Sequence, residues 1–204
     1  MVKTALLNKL RSRVEGLLGK AALGASSLGL TPNTLTLISL LVAALGLLLA
    51  SAFNSGTLLA LSIVTSGFID ALDGALARLT GMASKRGAFL DSFVDRVCEL
   101  IFAVGFARLG FNTYAVLLFL AFSNLTSYAR ARGESLGVQL AGVGLMERAE
   151  RVIALTVAAA LVDVNEMAAH YVYLVITALV GITAVQRFTH TWKFLRSQAS
   201  AERS

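Results

Sequence analysis

Long apolar stretches separated by short polar ones set out the plan of this chain. Runs of roughly 17 to 25 residues, long enough to cross a hydrocarbon core, occupy about 34–53, 57–79, 87–109, 112–131, 147–166 and 168–190. Thr31-Pro32-Asn33 offers a cap residue and a helix-initiating proline ahead of the first run, and Asn54-Ser55-Gly56 reads as the turn that closes it. Upstream, Leu6, Leu7, Leu10, Val14, Leu17 and Leu18 recur at helical spacing, with Lys3, Lys9, Arg11, Arg13 and Lys20 off that stripe. Such a helix lies on an anionic membrane surface or packs on the protein's own cytoplasmic face. The pattern predicts an all-α integral membrane protein: six transmembrane helices over 31–196, preceded by an N-terminal amphipathic interfacial helix within 1–30, in one domain over 1–204. Neither a Pro- or Ser-rich linker nor an internal repeat divides it, and the residues from Ser197 read as a frayed polar tail. Residues 1–30 lack a compact apolar core ahead of a cleavage site, so no signal peptide is expected.

Composition narrows the class. The chain is 56% hydrophobic and only 15% charged, whereas a soluble domain carries about a quarter charged residues. Its net charge of +6 follows the positive-inside rule instead of forming a nucleic-acid patch. With both termini cytoplasmic, all of the eighteen Lys and Arg except Arg96 and Arg108 fall on that side, in the cell membrane. Tyr171, Tyr173 and Trp192 stand near span ends, where aromatic belts form. Cys98 reads as a packed thiol, and His170 and His190 are too isolated for a metal role.

Fixed charge inside the second and third spans does not fit a purely structural membrane bundle. Asp70, Asp73, Asp91 and Asp95 at mid-bilayer depth cost about 2.5 to 3.5 kcal/mol each, near 10 together, unless compensated. Each pair shares a helix face, being three or four residues apart. A hairpin turning near Gly81 to Arg86 sets Asp70 level with Asp95 and Asp73 level with Asp91, so all four are expected to meet. Four converging carboxylates either hold protons or bind cations, and an all-oxygen donor set selects Mg²⁺ or Mn²⁺ over zinc or copper. Two ions suit the count. Gly74 and Ala77 leave room for a ligand on the same flank, and Arg78 is ready for a phosphate.

Asp70-x2-Asp73-Gly74-x2-Ala77-Arg78-x8-Gly87-x3-Asp91-x3-Asp95 resembles, at every fixed position, the signature of the CDP-alcohol phosphotransferases. The resemblance implies a homodimeric membrane enzyme that moves a phosphatidyl-type group from a CDP-linked lipid to an alcohol and releases CMP. It further implies one metal on Asp70, Asp73 and Asp91 and a second on Asp70, Asp91 and Asp95. Asp91 and Asp95 become the catalytic pair, with Asp95 as base. Gly74, Ala77, Arg78 and Ser84 would meet the nucleotide diphosphate, and Asn33, Thr34, Leu35 and Thr36 would flank the cytidine.

The acceptor is read from arginines. Between Arg151 and Asp163 lie eleven apolar residues, about 16 Å of helix, so the fifth helix must begin near Glu147. That sets Arg148 and Arg151 inside the membrane's cytoplasmic half, beside a polar cavity or paired with Glu147 and Glu150. Arg130, Arg132 and Arg187 fall at comparable height, and five arginines at one level suggest an anionic guest; snorkelling with local salt bridges is the plainer alternative. "SYARARGESLG", "GLMERAERVI" and "AVQRFTHTW" resemble the matching stretches of phosphatidylinositol-phosphate and archaetidylinositol-phosphate synthases, although Ala149 stands where a Pro is frequent. By that resemblance Arg130, Arg132, Arg148, Arg151 and Arg187 bind the phosphate of inositol 1-phosphate. Glycerol 3-phosphate is the alternative acceptor, and a non-enzymatic cation carrier the remote one.

Overall fold

The computed structural model describes residues 16–201. The described residues are helical with no strand: α1 over 16–27, α2 (Pro32–Phe53), α3 (Gly56–Thr80), α4 (Lys85–Arg108), α5 (Thr113–Ser135), α6 (Arg148–Val162) and α7 (Glu166–Ala201). Local chemistry sets the boundaries. Pro32 opens α2 while the Thr31 hydroxyl accepts the Thr34 N–H at 3.2 Å. Asn112 caps α5 by accepting from Tyr114 and Ala115, and Ser84 caps α4 by accepting the Gly87 N–H at 3.0 Å.

Several sequence expectations are corrected. The fifth predicted run ends at Val162, not 166, because Asp163 closes the helix and turns its carboxylate elsewhere. The expected frayed tail from Ser197 is helix through Ala201, since Gln198 and Ala199 are good helix formers and no breaker follows. Tyr173 is fully buried against Phe106, Phe111 and Phe119, so it is core where a membrane belt was expected; Tyr171 and Trp192 are exposed. Most of the basic and leucine stripe at the N-terminus lies outside the described residues; of its members within them, Leu17 is exposed and Leu18 packs on the core.

α2, α3 and α7 are each long and apolar enough to cross a membrane. α4 carries Asp91, Asp95, Arg96 and Glu99 in its middle turns. α6 has 15 residues, which at 1.5 Å each is about 22 Å. Leu41, Leu48, Ile153, Val175 and Val185 are exposed, an apolar exterior suited to lipid.

The chain divides into two compact units, Met1–Leu45 with Thr65–Cys98, and Gly46–Val64 with Glu99–Ser204. In the first, Ala22, Ala25, Leu35, Leu72 and Leu76 form a buried core across α1, α2 and α3. Ser66 donates to the Ser39 carbonyl at 3.0 Å and lies 3.9 Å from the Cys98 sulfur, which is buried as expected. In the second, α7 packs along α5 and α6. Gly46 admits Ser62 so closely that a Cβ would sit 1.9 Å from its Oγ, and Gly56 likewise admits the Ala159 carbonyl.

Candidate active site

Within the first unit, Asp70 on α3 and Asp91 and Asp95 on α4 each bring a carboxylate oxygen within 4.8 Å of the other two. Gly81, at φ +68°, turns the chain between the helices in a conformation that costs glycine little. Asp70 and Asp95 are buried and Asp91 is half-buried. The fourth carboxylate departs from expectation: buried Asp73 accepts the Thr36 hydroxyl on Oδ2 at 2.5 Å. Three residues leave Asp73 offset from Asp70 by about 60° around the helix, and on that side it meets Thr36 of α2.

Three anionic groups this close repel one another unless a cation is shared. Arg96, whose Nη2 stands 3.7 Å from Asp95 Oδ2, offsets part of the charge. The donors are hard oxygens on two rigid helices, and this set fits Mg²⁺ or Mn²⁺.

A cavity of about 200 Å³ lies in the same unit and shares Asp91 with the trio. Six of the residues expected at the nucleotide line it: Asn33, Thr36, Gly74, Ala77, Arg78 and Ser84. The other two do not. Leu35 joins the buried core, and Thr34 shares a hydrogen bond with the Thr31 hydroxyl at 2.8 Å. Successive helical residues point about 100° apart, so a run of four could not all face one cavity. Gly87, a motif position left without a role, also lines it; a Cβ there would come within 3.2 Å of both Ser84 Oγ and Asn33 Oδ1.

All five candidate acceptor arginines belong to the second unit. Arg130 is exposed and pairs with Glu134 at 2.9 Å; Arg132 is exposed beside Ser135; Arg148 is half-buried at the first position of α6. Arg187 is buried, donating to the carbonyls of Val143 and Thr126 and to Glu147 Oε1. Arg130 and Arg151 both lie near enough to repel its charge.

Arg151 takes an acid distant in sequence as its counter-ion, instead of Glu147 or Glu150. It is 2% exposed and paired at 2.8 Å with Glu99 on α4. Sequence reasoning missed this pair because 52 residues separate its members. A larger cavity, about 420 Å³ between α5 and α7, is lined mainly by apolar groups such as Phe122, Leu125 and Phe188, with Arg132 its one charged member. It offers no grouped titratable residues.

The model of the CDP-alcohol phosphatidyltransferase family matches residues 29–185. The archaetidylinositol phosphate synthase of Pyrococcus horikoshii is 39% identical over 157 residues, 75% of this chain and 81% of that protein. The archaetidylinositol phosphate synthase of Aeropyrum pernix is 36% identical over 189 residues, 91% and 95% of the two chains. Among solved structures, phosphatidylinositol phosphate synthase of Mycobacterium tuberculosis with CDP-DAG bound superposes with a TM-score of 0.77 at 28% identity. It covers 86% of this chain and 93% of that one. The same synthase, at the same TM-score, has been solved in complex with manganese and citrate.

Proposed function

Because the chain belongs to the CDP-alcohol phosphatidyltransferase family, we propose that it transfers a phosphatidyl or archaetidyl group from a CDP-linked lipid to L-myo-inositol 1-phosphate, releasing CMP. The observation that carries the reading is the carboxylate trio of Asp70, Asp91 and Asp95 sharing Asp91 with a cavity lined by the motif's Gly74, Ala77, Arg78 and Gly87. The names of the archaeal relatives and the CDP-DAG in the mycobacterial structure support the donor and the acceptor.

Asp70, Asp91 and Asp95, with Asp73 beside them, would hold one or two Mg²⁺ or Mn²⁺ ions, as the manganese-bound relative suggests. When bound, such ions neutralise the diphosphate and stabilise the departing CMP. The chain's own groups do the rest. Arg78, exposed at the rim, donates to the diphosphate, and side-chain-free Gly74 lets the backbone approach it. Asp95 accepts the proton of the acceptor hydroxyl as its oxygen bonds to the lipid-linked phosphorus and the bond to CMP breaks. The acceptor's own phosphate is drawn by the arginines of the second unit, where Arg130, Arg132 and Arg148 keep accessible surface while Arg151 and Arg187 are committed to internal acceptors.

In the membrane we place six crossings, α2 to α7, with both termini and the site on the cytoplasmic side of the cell membrane, and a homodimer as the assembly. Glycerol 3-phosphate would satisfy the same arginines and is the second reading. A cation carrier has no counterpart among the relatives named above.

Purified protein given a CDP-lipid and Mg²⁺ is expected to release CMP with inositol 1-phosphate in preference to glycerol 3-phosphate. Equal or better use of glycerol 3-phosphate would reject the acceptor. Asp95→Asn is expected to lower turnover by about 10² to 10⁴ while the CDP-lipid still binds; CMP release at the normal rate would remove Asp95 from the base role.

A further inference from the structure

We propose that Arg151 does not grip the acceptor: Glu99 and Ser123 hold it so that it pins the loop leading into α6, which makes Glu99 a positioning residue for acceptor binding. The proposal rests on the reading above, that the acceptor is an anionic alcohol phosphate.

Each guanidinium nitrogen of Arg151 has an internal acceptor. Nε and Nη2 donate to Glu99 Oε1, both at 2.8 Å, and Nη1 donates to the Met146 carbonyl at 3.2 Å. The other carboxylate oxygen of Glu99 takes the Ser123 hydroxyl at 2.6 Å. Arg151, Glu99 and Ser123 are 2%, 7% and 0% exposed. A cation so enclosed by its own counter-ion lends little net charge to a guest.

What the pair does hold is the segment just before α6. Met146 donates its N–H to the Thr183 hydroxyl at 3.0 Å, and Leu145 donates to Gln186 at 3.2 Å. Arg187 donates its Nε–H to the Val143 carbonyl at 2.9 Å, and Glu147 accepts the Gly142 N–H at 2.8 Å. Gly144 sits at φ +122°, where a Cβ would come 2.3 Å from Thr183, so the loop is seated flush on α7. Arg151 donates to the Met146 carbonyl, two residues ahead of Arg148. Glu99 therefore fixes where Arg148 starts its helix, and through it where the acceptor phosphate is met.

A double-substitution cycle separates this from direct contact. Arg151→Met leaves a buried anion and Glu99→Leu a buried cation; each is expected to raise the KM for inositol 1-phosphate by about tenfold, with the KM for the CDP-lipid unchanged. Combining them should raise the acceptor KM no further than Arg151→Met alone, because either change by itself already frees the Met146 carbonyl. Ser123→Ala, which keeps both charges, should give a smaller rise in the same constant and serves as the reading if a single charge variant fails to fold.

Were Arg151 to bind the phosphate itself, freeing it from its counter-ion by Glu99→Leu would leave the acceptor KM unchanged or lower it, and Ser123→Ala would not raise it. That outcome overturns the proposal, as does a parallel rise in the KM for the CDP-lipid. Failure of the functional reading looks different: the wild-type protein would then release no CMP in response to inositol 1-phosphate, and the cycle is run with the anionic acceptor that does support release.

Discussion

Asp163 shows how much one exposed carboxylate can organise. It accepts the N–H groups of Gly56 and Thr57 at 2.8 Å each and the Ser55 hydroxyl at 3.0 Å, satisfying amides that the first turn of α3 leaves open. Hydrogen bonds from the hydroxyl and backbone of Thr57 lower its pKa from 3.8 to about 2, with Gly56 and Ser55 adding to them. A depressed acid stabilises the folded state above its unfolded pKa and loses that contribution as pH falls through the folded one. Asp163→Asn should therefore melt earlier than wild type at pH 5 to 7, with the gap closing as pH drops from about 4 toward 2. A gap that does not change with pH would show that the charge is not what matters. From sequence, Asp163 was visible only as part of an acidic hairpin, because its partners lie more than a hundred residues away. The same holds for Glu99 and Arg151.

At the scale of helices, the apolar runs located α2 to α6 to within four residues at each end, since a span must be continuous and its ends must be polar, whereas α7 continues well past its run. The run at 34–53 became Pro32–Phe53 and that at 57–79 became Gly56–Thr80. Aspartate spacing set Asp91 and Asp95 on one helix face, because residues four apart are neighbours there; of the four aspartates expected to meet, Asp70, Asp91 and Asp95 do so. Which neighbour a side chain meets was not legible: Leu35 and Thr36 are equally plausible beside a cavity until α1 covers one of them. Close helix approach belongs to this scale too. At Gly46 a Cβ would also lie 2.1 Å from the Ser62 Cβ, so Gly46→Ala should cost about 1 to 3 kcal/mol by overpacking and be rescued by Ser62→Gly. Thermal unfolding in detergent measures both, with Gly24→Ala as the control, since nothing lies within 4 Å of that site. An unperturbed Gly46→Ala would mean that α2 and α3 are not in contact there.

For the whole molecule, the six crossings proposed above would return the chain to the side from which it started. Cys98 is buried and is the only cysteine, so Cys98→Ser gives a clean background for single thiols. Lys20→Cys and Ser197→Cys should then react alike with a membrane-impermeant maleimide, both labelled in inside-out vesicles and both protected in right-side-out ones. Opposite labelling would refute an even number of spans. Composition made membrane residence plain, but among the described residues only three helices are long and apolar enough to cross. The reason is physical: α4 carries Asp91, Asp95, Arg96 and Glu99 in its middle turns, α5 ends with Arg130, Arg132 and Glu134, and α6 is short.

The tie from Asp163 to Gly56 also carries a timetable. Its two ends are 107 residues apart, so at about 5 to 20 residues per second of synthesis the opening amides of α3 wait roughly 5 to 20 seconds for their acceptor. Through that interval water or lipid head groups must serve in its place. The newborn hairpin of α2 and α3 is thus obliged to keep its turn wet until the far end of α6 has left the ribosome.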